Sequence, residues 1–165
     1  MSHEIVSVDA MQVFTNRSHP GISVSITLED GTTEKAICTA GNSIGIHEVP
    51  FIYDGGMKWN GLGVELAVKN VLEKIGPAII GMDASNQSEV DHAMLSICDN
   101  AKSVLGGNAI AATSAAVLKA GAKSLGIPIY KHIGGESAMY LPVVGAPAVE
   151  GHNRYGGGVT TPDMK

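Results

Sequence analysis

The stretch ISVSITLEDGTTEKAICT, residues 22–39, decides the fold. Along its first half apolar side chains alternate with polar ones, which is the pattern of a strand with one covered face. The apolar positions are Ile22, Val24, Ile26 and Leu28. Glu29-Asp30-Gly31 is a turn signal, because glycine readily adopts positive φ. Residues 32–39 then run back, so the stretch predicts two antiparallel strands.

A third strand precedes this hairpin. The segment IVSVDAMQVF, residues 5–14, alternates apolar and polar residues over part of its length. Strands joined by such short connections must be antiparallel neighbours, so we predict a three-stranded meander. A small sheet of this kind is stable only when another layer covers its apolar face.

Three amphipathic segments can supply that layer. Residues 61–75 carry apolar side chains at helical spacing, and Gly76-Pro77 is predicted to end this helix. A second helix contains Val90 and Cys98, with Ser85 as its N-cap. The third, residues 108–125, has small residues around its whole circumference and is expected to be the buried helix, ending at Gly126. The predicted fold class is therefore α+β, with the meander followed by a helical layer.

The last forty residues differ from the rest. They show no helical period, contain four prolines and the run Gly156-Gly157-Gly158, and offer one lone strand at YLPVV, residues 140–144. A structureless segment of this length argues against an autonomous domain. We therefore predict one domain over residues 1–135, and a linker with the first segment of a second domain over residues 136–165.

Composition limits the function classes. Eleven basic and sixteen acidic residues give a net charge of −5 without a basic cluster, which disfavours nucleic acid and anionic membranes as partners. Two cysteines, Cys38 and Cys98, do not form a disulfide framework, so a reduced cytoplasmic protein is expected. No signal peptide or membrane-spanning apolar run is visible.

The segment CTAGNSIGIHE, residues 38–48, is the first candidate site. A phosphate-binding P-loop needs a lysine after its final glycine, and Ile46 stands there instead. Ser43 alone is a weak metal site, because magnesium prefers carboxylates and water. An ordinary polar loop therefore remains open as an interpretation. His47-Glu48 suggests either a proton relay or hydrogen bonds that anchor the base of the loop.

Three long stretches of the chain resemble the N-terminal capping domain of enolase, phosphopyruvate hydratase. They are LEDGTTEKAICTAGNSIGIHE, DGGMKWNGLGVELAVKNVLEKIGPAIIGMDASNQ and LGGNAIAATSAAVLKAGAKSLGIPIYKHIGG. The resemblance extends in order over roughly the first 143 residues. It implies a meander followed by helices, a second β/α barrel domain that supplies the carboxylate ligands of Mg²⁺ and the catalytic lysine and glutamate, and an expected homo-oligomer.

The resemblance also implies roles for individual residues, none of them catalytic in this chain. Residues 40–45 correspond to a mobile active-site lid, in which Ser43 ligates a second Mg²⁺ when the lid closes. Two hydroxyl residues of the family's lid are replaced here, by Ala40 and Ile44. The implied substrate contacts are Ala40, Gly41 and His152, and the implied lid supports are Asn42, Gly45, His47, Glu48 and Arg17.

Two of these residues keep a second interpretation. His152 either contacts substrate or is a loop histidine without a role. Arg17 either holds the lid or a substrate carboxylate, or forms a salt bridge to the barrel or to a second subunit.

The resemblance implies an enolase-type lyase that dehydrates 2-phosphoglycerate, a small phosphorylated acid, when the chain is joined to its own barrel domain. By itself this chain is expected to be inactive. Two alternatives remain: an enolase-like protein acting on another acid, or a free-standing cap-like interaction domain without catalysis.

Overall fold

The computed structural model describes residues 3–16, 18–40 and 45–145. The three strands are β1 (Ile5–Phe14), β2 (Pro20–Leu28) and β3 (Thr33–Cys38), and they form one sheet in the order β1-β2-β3 with both pairs antiparallel. The predicted meander is confirmed, and so is the α+β class. At the β2–β3 turn, Gly31 has φ of 83° and its N–H donates to the Leu28 carbonyl at 3.0 Å.

The helical part follows the sheet in the chain. Its elements are a 3₁₀ turn (Lys58–Gly61), α1 (Glu65–Asn70), a π turn (Val71–Ile75), α2 (Gly76–Ile79), α3 (Gln87–Leu95), α4 (Ala101–Leu105), α5 (Gly107–Ser124), α6 (Ile129–Gly134) and a final 3₁₀ turn (Gly135–Ser137).

One face of the sheet is covered by helices. The alternating apolar residues of β2 are at most 1% exposed, because α5 packs on β2 and β3 while α1, the π turn and α2 pack on β1. These residues are Ile22, Val24, Ile26 and Leu28. On the opposite face Met11 and Ile37 are 61% and 56% exposed. The period-two pattern therefore identified the covered face correctly.

Helix α5 is the buried helix, as its small residues predicted. Nine of its eighteen residues are buried, and its small side chains let its backbone approach the sheet closely. It ends at Ser124, and Gly126 follows with φ of 68°, as a glycine beyond a helix C-terminus commonly does.

The first helix does not end at Gly76-Pro77, so that prediction is wrong. The helical path continues through Pro77 to Ile79 by way of the π turn. The N–H of Gly76 donates to the carbonyl of Val71, five residues back, and this wider turn makes room for the proline ring.

Three smaller sequence predictions are also wrong. The N-cap of α3 is Asn86 rather than Ser85, since the Asn86 side chain accepts from the Glu89 N–H. A short helix, α6, lies in the segment expected to lack helical structure. Residues 140–144 form no strand. Among the helices that the structure describes, none is long and apolar enough to cross a membrane.

Candidate functional site

The residues predicted to form the lid and its surroundings fall partly within the described structure. Ala40 follows β3 and is half-buried, and Gly45, His47 and Glu48 are exposed. Arg17, Gly41, Asn42, Ser43 and His152 lie outside the described residues. Their predicted roles therefore stay predictions.

Thr15, at the start of the β1–β2 connection, lies beside the end of β3. The Thr39 hydroxyl donates to the Thr15 hydroxyl at 3.2 Å. Thr15 in turn donates to the carbonyl of His19 at 3.0 Å. The β1–β2 connection and the start of the candidate lid are therefore neighbours.

A tight turn at Gly45–Glu48 follows the candidate lid in the chain. The N–H of Glu48 donates to the Gly45 carbonyl at 3.1 Å, and the N–H of Gly45 donates to Glu48 Oε1 at 3.0 Å. The Glu48 carboxylate is thus engaged by the backbone of its own turn, the kind of hydrogen bond that anchors a loop. Ile46 at the tip is 93% exposed.

Residues 49–53, which we call the strap, fasten this turn to α5. The N–H of Gly107 donates to the Pro50 carbonyl at 3.1 Å. Asn108 accepts from the N–H of Ile52 at 3.1 Å and donates to the Ile52 carbonyl at 3.0 Å. Asn108 is 1% exposed. The strap therefore runs along the first turn of α5 with three hydrogen bonds.

After the strap, Asp54 begins the next segment. Its two carboxylate oxygens accept from the N–H groups of Glu65 and Leu66 at 3.0 and 2.8 Å, at the start of α1. A carboxylate at this position satisfies helix N–H groups that lack an intrahelical partner. The strap is thereby fixed to α5, and the residue that follows it is fixed to α1.

A groove of about 440 Å³ lies beside the strap, between it and helices α3, α4 and α5. Its lining is mostly apolar, with two carboxylates, one ammonium group and one hydroxyl. The lining residues are Glu48, Val49, Phe51, Asp91, Leu95, Lys102, Gly107, Ile110, Ala111 and Ser114.

Within the described ranges, no three His, Cys, Asp or Glu side chains come close enough together to hold a metal ion. Residues 3–16, 18–40 and 45–145 therefore contain no metal site built from three such side chains.

Cys38 is a chemical probe at the edge of the candidate lid. Burial raises the pKa of its thiol above the ordinary value. Because the thiolate is the nucleophile, Cys38 should be alkylated by iodoacetamide more slowly than free cysteine at neutral pH, and faster as the pH rises. Peptide mass spectrometry of the native and the guanidinium-unfolded chain measures the alkylation rate of Cys38. Equal rates in the two states would contradict the described burial.

Comparison with known proteins agrees with this architecture. The family model described as "Enolase, N-terminal domain" matches residues 5–133. The enolase of Methanopyrus kandleri is 45% identical over 141 residues, which cover 84% of this chain and 33% of that enolase. The chain belongs to the enolase family. It spans about a third of the length of the curated enolase that it matches.

The enolase match covers the meander, the strap and helices α1 to α5. Within it, sequence reasoning missed Asn108, which it treated only as the start of a helix of small residues. The pair Gly106-Gly107 immediately before Asn108 was the available signal, since adjacent glycines often mark a close backbone approach. The partner, Ile52, lies 56 positions away and carries no motif.

Proposed function

We propose that this chain is the N-terminal part of an enolase-type lyase. Joined to its barrel domain, it would take part in the Mg²⁺-dependent dehydration of 2-phosphoglycerate to phosphoenolpyruvate. The observation that carries the proposal is the 45% identity over 141 residues to an enolase. We further propose a cytoplasmic homo-oligomer whose substrate is a small phosphorylated acid.

In this proposal the chain supplies the active-site lid, residues 40–45. The lid begins beside the β1–β2 connection and continues into the Gly45–Glu48 turn and the strap. Hydrogen bonds at these two flanks, from Thr39 to Thr15 and from the Gly45 N–H to Glu48, favour a loop held at its ends. Ala40 and Gly41 would meet the substrate through backbone groups, and closure would exclude water from the reaction.

Arg17 and His152 are the proposed polar contacts. The hydrogen bond between Thr39 and Thr15 places the β1–β2 connection near the start of the lid, which supports a role for Arg17 beside the substrate or the lid. His152 would approach the substrate from the segment that follows the cap. Both histidine and arginine can hold an anionic group by charge-assisted hydrogen bonds.

Ser43 is the residue of this chain that would touch magnesium. Its hydroxyl fits an accessory position, because Mg²⁺ binds oxygen ligands and commonly keeps several waters. The carboxylates that hold the metal belong, in this proposal, to the barrel. Bound there, magnesium would supply positive charge beside the substrate carboxylate, where negative charge develops when the adjacent carbon loses its proton. Proton transfer is likewise assigned to barrel residues.

The lid assignment is tested by Ser43→Ala in the complete polypeptide that contains this chain. We expect the Mg²⁺ concentration needed for half-maximal turnover to rise about tenfold, because the metal loses one oxygen ligand; a tenfold change corresponds to roughly 1.4 kcal/mol of binding free energy. Steady-state turnover of 2-phosphoglycerate across a magnesium titration measures it. Ser88→Ala, on the exposed side of α3, is the matched control. An unchanged magnesium requirement in Ser43→Ala would refute the assignment.

A further inference from the structure

We propose that Asn108 is a positioning residue for the reaction, because it sets where the lid joins the body of the domain. The inference rests on the proposed enolase function and extends it to a residue that does not touch substrate. Asn108 acts through the strap, residues 49–53, and through the Gly45–Glu48 turn that directly precedes the strap.

The amide of Asn108 is matched to a single residue of the strap. It binds both backbone groups of Ile52, at 3.1 Å and 3.0 Å, as a neighbouring strand would. The orientation of the amide is fixed, since the Ile52 N–H can only donate and its carbonyl can only accept. With Asn108 1% exposed, loss of the amide would leave these backbone groups without their partner.

The position of Asn108 in α5 separates this role from ordinary helix capping. An N-cap asparagine lies just before the helix and accepts from the N–H groups of its first turn. Gly106 holds the N-cap position of α5, and Asn108 is already the second helical residue. Its side chain is directed to the strap, so the helix itself does not require an asparagine here.

Gly106 and Gly107 make room for the same contact. At Gly106, with φ of 97°, an added Cβ would lie 2.7 Å from Asn108 Oδ1 and 3.1 Å from Ile52 Cβ. At Gly107 it would lie 3.1 Å from the Val49 carbonyl oxygen. Three successive residues at the start of α5 are therefore adapted to the strap.

The groove beside the strap explains why the contact between Asn108 and Ile52 is needed to fix the position of the strap. On its open side the strap borders the groove of about 440 Å³, whose lining includes Leu95, Ile110 and Ala111. Without Asn108, packing on that side would not prevent the strap from shifting into the groove. The Gly45–Glu48 turn would shift with it, and the lid would approach the substrate from a displaced base.

Two measurements test this inference, each with Asn108→Ala, Asn108→Asp and the control Thr113→Ala. Thr113 is buried in the same helix, and its hydroxyl donates to the Ala109 carbonyl at 2.9 Å, so its loss also removes one buried hydrogen bond. In the 165-residue chain, hydrogen exchange at Ile52 should be much faster in Asn108→Ala and intermediate in Asn108→Asp, which keeps the acceptor. Thr113→Ala should leave it slow.

The second measurement is steady-state kinetics of the complete polypeptide, well below its unfolding temperature. Displacement of reacting groups by about 1 Å costs up to about 10²-fold, so kcat/KM for 2-phosphoglycerate should fall roughly 10- to 100-fold in Asn108→Ala. Both kcat and KM should change, as expected when the base of a moving loop is altered. Thr113→Ala should keep wild-type values.

The failures of the two proposals are distinguishable. An active wild type with equal kinetics in Asn108→Ala and Thr113→Ala would overturn the positioning role. Slow exchange at Ile52 in Asn108→Ala would overturn the claim that the Asn108 amide holds the strap in place. A wild type that does not dehydrate 2-phosphoglycerate would instead overturn the proposed function, and the positioning role with it.

Discussion

Replacing Gly121 by alanine should lower the free energy of unfolding of this chain by about 2–3 kcal/mol. Gly121 lies in buried helix α5, and an added Cβ would overlap the carbonyl oxygen of Ala84. The same Cβ would lie 3.0 Å from the Ala84 carbonyl carbon and 3.3 Å from His132 Nε2. The loss should occur although alanine is the better helix former by about 1 kcal/mol.

The backbone around Ala84 has little freedom to move away. The Ala84 N–H donates to the His3 carbonyl at 2.9 Å, and the Ile5 N–H donates to the Met82 carbonyl at 2.9 Å. On the other side, the N–H of Ser85 donates to Asp83 Oδ1 at 2.8 Å. The clash must therefore be relieved by shifting α5, which carries the main packing contacts with β2 and β3.

Urea unfolding of the two variants Gly121→Ala and Gly126→Ala measures the effect. Gly126 has φ of 68° and nothing within 4 Å of an added Cβ, so its replacement should cost only the backbone strain, about 1 kcal/mol. A Gly121→Ala chain as stable as wild type, or more stable, would show that α5 and Ala84 are not in the described contact.

The sheet was predictable because its determinants are local. The two-residue period of β2 and the Asp30-Gly31 turn lie within one short stretch, and they determine both the register and the covered face. The buried position of α5 followed from its small residues in the same way. These predictions needed no knowledge of distant contacts.

The errors arose where tertiary structure overrides a local rule. A proline inside a helix usually ends or kinks it, but the π turn before Pro77 allows the helical path to continue to Ile79. Helix α6 has only six residues and no buried side chain, which leaves too short a pattern for periodicity to detect.

In the candidate site, too, local contacts could be predicted from the sequence and long-range contacts could not. Glu48 was singled out as an anchor or a proton relay, and the structure places its carboxylate on the Gly45 N–H within its own turn. The hydrogen bonds from Asn108 to Ile52 join residues from separate elements, and no spacing rule relates their positions. The contacts of Arg17, Ser43 and His152 lie outside the described residues.

The second prediction with a large expected effect concerns catalysis by the 165-residue chain alone, which should be absent altogether. In the proposed function the cap and the barrel act together, because closure of the lid would supply positioning and exclusion of water. We therefore expect the 165-residue chain alone to produce no phosphoenolpyruvate. The complete polypeptide that contains it should produce phosphoenolpyruvate from 2-phosphoglycerate, and lose this activity when a chelator removes Mg²⁺.

The direct measurement is the appearance of phosphoenolpyruvate from 2-phosphoglycerate with the complete polypeptide, with and without Mg²⁺. Glycerate without a phosphate and 3-phosphoglycerate serve as control acids. Our account predicts rapid, magnesium-dependent product formation from 2-phosphoglycerate and none from the control acids. Absence of phosphoenolpyruvate at every magnesium concentration, with the polypeptide folded, would contradict it.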